Sequence, residues 1–160
     1  MTDHLFSEIG IETLEPLRVA CYRVVSQTPE TDAMNYIKQW LNCQNFASSV
    51  RNFGFDIEIT PEQQKTGLRG YEVWMNVSLD VRPSDGVTIK HFAGGLYAVL
   101  TIYKPFDDPC KRIPAGWKVL HQWVIESDQY RGAYHQWLEE VISLKVGDNL
   151  KIYHPITVIT

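Results

Sequence analysis

Residues 71–81, YEVWMNVSLDV, decide the fold class of this chain. Every second position is apolar, so that Tyr71, Val73, Met75, Val77 and Leu79 alternate with Glu72, Trp74, Asn76, Ser78 and Asp80. An alternation with a period of two predicts a β-strand with one face against a core. The aliphatic side of this strand is expected to meet helices, which leaves Trp74 and Glu72 together on the opposite side.

The elements on either side of this strand predict the rest of the architecture. Before it come a strand at 17–25, a helix that begins after Thr28-Pro29 and ends before Ser48, a short strand or crossing segment at 53–59 and a loop at 60–70. After it come strands at 87–92 and 96–103 and a helix with Pro114 in its first turn that ends near Ser127. The chain then continues with a strand at 134–143, a turn at 145–149 and a strand at 150–159. Strand, helix and two further strands therefore occur twice. This order predicts an α+β protein of two related halves, with a mostly antiparallel sheet, helices on one face and a ligand cavity between the halves. The same order places Glu72 of the first half and Glu139 of the second half in equivalent positions.

A pair of acids lies within an aromatic tract at 134–143, YHQWLEEVIS. In a strand, Trp137, Glu139 and Val141 share one face, while Leu138 and Glu140 share the other. At least one carboxylate then points the same way as large apolar side chains. Such an acid is a receptor for a lipophilic cation, or a catalytic acid or base. The structural alternative is that one acid faces solvent and the other pairs with a nearby Lys or Arg.

Composition limits the classes of function. With 160 residues and 44% hydrophobic residues, the chain is predicted to form one domain over 1–160, in which 1–15 are flexible or form an extra strand. The net charge of −4, without a Lys/Arg cluster, argues against nucleic-acid binding. The three cysteines and five histidines have no metal-ligand spacing, and we expect no metal and no cofactor. Neither a signal peptide nor a membrane span is recognisable, so the predicted location is the cytoplasm.

Several motifs, in this order, resemble the GyrI-like small-molecule-binding domain, the effector-binding domain of AraC- and MerR-type regulators, in its stand-alone form. They are PLRVA at 16–20, GYEVW at 70–74, FAGGLYAV at 92–99, the helix at 117–123, WLEE at 137–140 and IYHPI at 152–156. The resemblance implies an eight-stranded α+β fold of two related halves with a cavity between them. It also implies a glutamate in the penultimate strand that meets cationic aromatic ligands. That position falls on Glu139, or on Glu140 if the register differs by one residue.

The candidate pocket-lining residues besides these acids are aromatic: Trp74, Tyr97, Trp117 and Trp137. Trp117 can equally be a core residue of its helix, and Tyr97 can belong to an ordinary strand bulge after Gly94-Gly95. Glu72 is predicted to face solvent in preference to serving as a second pocket acid.

Two functions compete for such a cavity. The first is capture of lipophilic, planar or cationic aromatic compounds, as in drug or toxin binding or sensing. The alternative, which the resemblance to some stand-alone members implies and which would make the protein an enzyme, is addition of water to cyclopropanoid DNA-alkylating toxins, with Glu139 activating the water. The predicted partner is thus a small molecule, without nucleic acid or membrane. Homodimerisation, contact with a regulator or contact with gyrase are further alternatives.

Overall fold

Nine strands and three helices form the part of the chain that the computed structural model describes, residues 4–44, 51–144 and 147–160. In chain order they are β1 (Gly10–Leu14), β2 (Leu17–Ser26), α1 (Pro29–Cys43), β3 (Asn52–Ile57), α2 (Pro61–Lys65), β4 (Arg69–Asn76), β5 (Thr88–Phe92), β6 (Gly95–Ile102), α3 (Pro109–Glu126), β7 (Tyr130–Gly132), β8 (Leu138–Leu144) and β9 (Gly147–Val158). A single 3₁₀ turn, Pro105–Asp107, precedes α3. The elements fall into two compact units, each with its own core.

The first unit, Pro16–Ala93, has four antiparallel strands in the order β5-β2-β4-β3. Pro29 occupies the start of α1, where its missing N–H costs no intrahelical bond. The helix buries Ala33, Ile37, Trp40 and Leu41 in a core with Ala20, Val73 and Met75 from the sheet. Because Val73 and Met75 belong to the predicted aliphatic stripe of β4, Glu72 and Trp74 lie on the sheet face away from α1.

The second unit joins Gly94–Thr160 to the residues up to Glu15. Its four principal strands are antiparallel in the order β1-β6-β9-β8, and the short β7 pairs with the far end of β9. Leu120 and Val124 of α3 form a core with alternate residues of the sheet: Ala98, Leu100, Ile102, Leu150, Ile152 and Ile156. The odd-numbered neighbours in β6 and β9, Tyr97 and Tyr153, therefore lie on the face away from α3.

Both units have the same topology, which confirms the predicted α+β fold class with its repeated strand–helix–strand–strand order. In each unit the strand before the helix pairs with the last strand of the repeat, as β2 with β4 and β6 with β9. The counterpart of β4 is consequently β9, and the counterpart of β8 is β3. The predicted equivalence of Glu72 (β4) with Glu139 (β8) is therefore wrong.

Several element boundaries differ from their predictions. The predicted loop at 60–70 contains α2, because Thr60 and Gln63 form a reciprocal capping box at its start. The second predicted helix starts earlier, with Pro109 in its first turn, so that Pro114 lies inside α3. The strand predicted at 71–81 ends at Asn76, and β8 begins only at Leu138. Of the turn predicted at 145–149, residues 145–146 lie outside the described residues, and 147–149 belong to β9. Residues 10–14 form the extra strand β1.

Candidate functional site

Glu140 is a nearly buried acid on the face of the second unit opposite α3. Its side chain is 8% exposed, and its Oε1 accepts a 2.5 Å hydrogen bond from the hydroxyl of Tyr153. In the β8–β9 ladder Glu140 pairs with Lys151, and Leu138 pairs with Tyr153. Residues opposite one another in a ladder share a face, so Glu140 lies on the same side as Tyr153.

Tyr97 extends this face on β6. It is fully buried, and its hydroxyl donates a 2.5 Å hydrogen bond to the backbone carbonyl of Gln136. Its ring meets the Tyr153 ring edge-on, with centroids 5.6 Å apart, and the His135 ring at 4.8 Å. Burial raises the pKa of the Tyr97 phenol well above its usual value, so this hydroxyl remains protonated and acts as a hydrogen-bond donor. Tyr97, Tyr153 and Glu140 thus form one continuous group.

A second aromatic group lies on the α3 side of the same sheet. The Trp117 and Trp137 rings are 5.5 Å apart, and Trp137 is 4.1 Å from the ring of His154. His154 is 1% exposed and stacks on His121 of α3, with 2.9 Å between His121 Nδ1 and His154 Nε2. Here Trp117 is a helix residue in contact with a tryptophan and packed against the core of its own unit.

The two adjacent acids belong to different sides of the sheet. Glu139 pairs with Ile152, whose side chain is in the α3 core, so Glu139 lies on the helix side together with Trp137. The predicted face shared by Trp137 and Glu139 is therefore the face that α3 covers. Of the predicted site residues, the structure brings Tyr97 and Glu140 together on one face, and Glu139, Trp117 and Trp137 on the other. The predicted binding roles of all five stay predictions.

Trp74, the remaining predicted site residue, lies in the first unit beside a second buried acid. Its indole Nε1 donates a 2.6 Å hydrogen bond to Oε2 of Glu72, and the same oxygen accepts 2.8 Å from Lys90 Nζ. Oε1 of Glu72 accepts from Arg23 Nε at 3.0 Å and from Arg23 Nη2 at 2.7 Å. The Trp74 ring also contacts Phe55 and Phe92, at 5.2 and 5.3 Å.

The prediction that Glu72 faces solvent is wrong, since its side chain is only 2% exposed. Burial by itself would raise the pKa of this carboxyl, but the hydrogen bonds from Lys90, Trp74 and Arg23 outweigh burial and hold the pKa below its ordinary value. Glu72 is therefore ionised at neutral pH. The sequence analysis did not predict the roles of Arg23 and Lys90. The only signal in the sequence was their position in predicted strands, where alternation of side chains can place them on the same face as Glu72.

Cys21 is also on this face, and its thiol is expected to be unreactive. Its side chain is 3% exposed, and burial raises the pKa of its thiol to about 12, with the nearby Lys90 ammonium opposing part of that shift. A thiol with so high a pKa has almost no thiolate at neutral pH. The structure therefore offers no nucleophile at this position.

The His121–His154 pair makes stability depend on pH. The Nδ1–H of His154 donates to the Pro155 carbonyl, so its Nε2 is unprotonated and accepts from His121. Burial lowers the pKa of His154; the hydrogen bond to the Pro155 carbonyl opposes part of this shift, and the electrostatic effect of His121 adds a smaller lowering. Below about pH 6.5, His154 takes up a proton in the unfolded chain more readily than in the folded chain. We therefore expect the free energy of unfolding to fall, by at most about 1.4 kcal/mol per pH unit, as pH drops below that value.

This expectation can be checked by urea denaturation between about pH 7.5 and 5.5. H154N retains a donor for the Pro155 carbonyl but has no titrating group, so its pH profile is expected to be flatter. The exposed His91 provides the matched control, because H91N should keep the wild-type slope. Parallel slopes for the wild type and H154N would contradict the assignment.

The structure thus has two units of like topology, each with a buried acid beside aromatic rings on the sheet face opposite its helix. Residues 10–156 match the family model Cass2, described as integron-associated effector binding protein. The chain belongs to this family, and the predicted resemblance to stand-alone effector-binding domains is confirmed. Family membership assigns the chain small-molecule binding.

Solved structures agree with this fold. EcmrR, in a complex with DNA, superposes on 98% of this chain with a TM-score of 0.72 and 12% identity, and the chain spans 59% of the EcmrR chain. The C-terminal domain of EcmrR gives a TM-score of 0.64 and 14% identity over 95% of this chain and 98% of that domain. SAV2435 bound to tetraphenylphosphonium gives 0.50 and 10% identity over 94% of each chain. A search of proteins with curated functions finds no significant match.

Within residues 4–44, 51–144 and 147–160, no helix is both long enough and apolar enough to span a membrane. The predicted cytoplasmic location stays a prediction.

Proposed function

We propose that this protein binds lipophilic aromatic cations on the face of the second unit opposite α3, with Glu140 as the charge partner. The observation that carries the proposal is a carboxylate only 8% exposed beside the rings of Tyr97 and Tyr153. Burial of a carboxylate is costly, and an incoming cation offsets part of that cost. Aromatic faces attract the same cation, by about 0.5–2 kcal/mol for each favourable contact.

The aromatic part of this site is already ordered. Tyr153 holds one carboxylate oxygen of Glu140 at 2.5 Å, and Tyr97 is tied to the Gln136 carbonyl at 2.5 Å. Both rings are fully buried, so their orientations are set by packing as well as by these bonds. A cation can contact their faces only after neighbouring side chains move, so the opening of this site is part of the cost of binding.

The charge on this face also favours a cation. Glu12 of β1 pairs with Tyr97 in the β1–β6 ladder and therefore lies on the same side as Glu140. Lys151 bonds Glu12 at 2.5 Å and lies 5.2 Å from the centroid of the Tyr153 ring. Among the described residues that β1, β6, β8 and β9 place on this face, two glutamates accompany one lysine, so the charge beside Tyr97 and Tyr153 is negative. The other cation of this face, Arg131 of β7, lies further along β9, opposite Thr157.

We select Glu140 in preference to Glu139 because Glu140 lies on the sheet face opposite α3, beside Tyr97 and Tyr153, whereas Glu139 lies on the face that α3 covers. Glu139, Trp117 and Trp137 lie on the α3 side of the sheet. In this proposal they affect binding only indirectly, because they support the sheet that carries Glu140. Trp74 belongs to the first unit, where it is bonded to Glu72. Dimerisation and contact with a regulator or gyrase stay predictions.

The deciding experiment measures tetraphenylphosphonium affinity by tryptophan fluorescence and calorimetry. E140Q keeps the size and the Tyr153 hydrogen bond but removes the charge. We expect it to weaken binding about 10- to 100-fold, the effect of losing one charge about 6–12 Å from the cation centre at an effective dielectric constant near 20.

E139Q is the matched control, since it removes the same charge from the adjacent residue on the other side of the sheet. It should change the affinity less than about twofold. Tetraphenylborate, an anion of the same shape, should bind much more weakly than the phosphonium. If E139Q abolishes binding while E140Q leaves it unchanged, the ligand meets the helix side and the proposal fails.

Hydrolysis of cyclopropanoid alkylators is the second candidate, and the 2.5 Å bond that orients the Glu140 carboxylate favours it. A carboxylate fixed in this way can accept a proton from water as that water adds to a strained ring. Mass spectrometry of the recovered ligand separates the two candidates. A cyclopropanoid recovered with one added water, in excess over protein and not with E140Q, would show an enzyme.

A further inference from the structure

The sheet face of the first unit opposite α1 carries the opposite charge balance. Its charged strand residues are Glu72, Arg23 and Lys90, and both cations bond the one carboxylate. One of these cations would neutralise Glu72, so the cluster has a net charge of +1. We infer that Arg23 and Lys90 form a binding subsite for the carboxylate of an aromatic acid. This site goes beyond the proposed function, which concerns a cation on the second unit.

The donors that Glu72 does not use are available to a ligand. Arg23 bonds Glu72 through Nε and Nη2, and its second amino group, Nη1, makes no protein hydrogen bond in the described part of the chain. Lys90 uses one of its three ammonium hydrogens on Glu72. The side chains of Arg23 and Lys90 are 61% and 45% exposed, whereas Glu72 is 2% exposed. The outer surface of this cluster therefore consists of cations, with the acid beneath them.

Glu72 holds these cations in place. Its two oxygens accept four hydrogen bonds in total, and the Trp74 indole fixes one oxygen from the buried side. The carboxylate therefore cannot rotate away, and the Arg23 and Lys90 heads stay on either side of it. An arginine fork and a neighbouring ammonium held in this way suit a bidentate oxyanion.

Aromatic side chains surround the charged cluster. Trp74 contacts Phe55 on one side and Phe92 on the other, and all three lie on the Glu72 face. Trp74 and Phe92 are buried and Phe55 is half-buried, so Phe55 is the ring of this group that a ligand would contact. An aromatic ring attached to the bound carboxylate would pack on this apolar surface. The combination selects aromatic acids over simple anions such as acetate.

The test compares two ligands of one shape and opposite charge, 2-naphthoate and 2-naphthylmethylammonium, by calorimetry on the unaltered protein. We expect saturable binding of 2-naphthoate, tighter than that of the ammonium. R23Q and K90Q should each weaken 2-naphthoate binding at least about fivefold. K90R, which keeps the charge, should retain binding even if K90Q unfolds.

K38Q provides the control for net charge, because Lys38 is an exposed lysine on α1 and its loss should leave the affinity unchanged. Absence of saturable binding in the millimolar range, equal affinity for the two ligands, or equal losses in K38Q and R23Q would each overturn the inference.

Discussion

Replacement of Glu72 by leucine is expected to lower the free energy of unfolding by about 2–4 kcal/mol at neutral pH. The substitution removes the acceptor of four hydrogen bonds at once, from Arg23, Lys90 and Trp74. The Trp74 N–H is buried, so its lost bond is the most costly part. Arg23 and Lys90 are exposed enough to be solvated, and this keeps the loss below that of a fully buried ion triad.

Urea denaturation of E72L and E72Q measures this effect. E72Q should lose less, about 1–2 kcal/mol, since an amide oxygen still accepts from Trp74. The matched control is E30Q, because Glu30 bonds Arg69 at 2.6 Å in an exposed pair that should contribute less than about 1 kcal/mol. Wild-type stability in E72L would show that the cluster contributes nothing to the fold.

The pH dependence gives an independent check of the same cluster. The pKa of Glu72 is lower in the folded chain than in the unfolded chain, so its stabilisation is complete above the ordinary pKa of glutamate. It is lost as pH falls through the lower, folded-state pKa, where the folded carboxylate takes up its proton. E72L should lack this acid-dependent part of the stability profile.

Local patterns in the sequence were sufficient for most element types and for the repeated strand–helix–strand–strand order, but not for α2 or for the equivalence of strands between the two units. Alternation predicted β4 and the α1-facing stripe of Val73 and Met75, and a proline after a capping residue predicted the start of α1. These signals work because they depend on neighbours within a few residues. Boundaries were less accurate where a tertiary contact or a local cap decided them, as with Thr60 and Gln63 at α2.

The candidate sites required information that no local pattern contains. Alternation shows that Glu139 and Glu140 face opposite sides, but only the β8–β9 register shows which side α3 covers. Likewise, Glu72 was expected in solvent because its partners are distant in sequence: Arg23 is 49 residues away and Lys90 is 18. A buried charge is recognisable from sequence only when its counter-ion lies within the same helix or strand.

Substitution of Gly54 by alanine is expected to cost about 3 kcal/mol, the second large effect. An added Cβ at Gly54 would lie 1.9 Å from the hydroxyl oxygen of Tyr71 and 2.4 Å from its ring. Tyr71 is 7% exposed in the α1 core, and it sits diagonally across the β3–β4 ladder from Gly54, so its ring fills the space that a side chain would need. This overlap can be relieved only if the packed Tyr71 ring or the strand itself moves.

A double-mutant cycle with Y71A isolates this contact. Once the ring is removed, G54A should be neutral or stabilising by about 0.5–1 kcal/mol, because alanine is favoured over glycine in a strand interior. The coupling energy between the two positions should thus approach 3–4 kcal/mol, roughly the sum of these two effects. Gly10 is the control glycine, since a Cβ there would meet only Val99 Cγ2, at 3.7 Å. Equal losses from G54A in both backgrounds would mean that backbone conformation, and not the Tyr71 ring, requires glycine at this position.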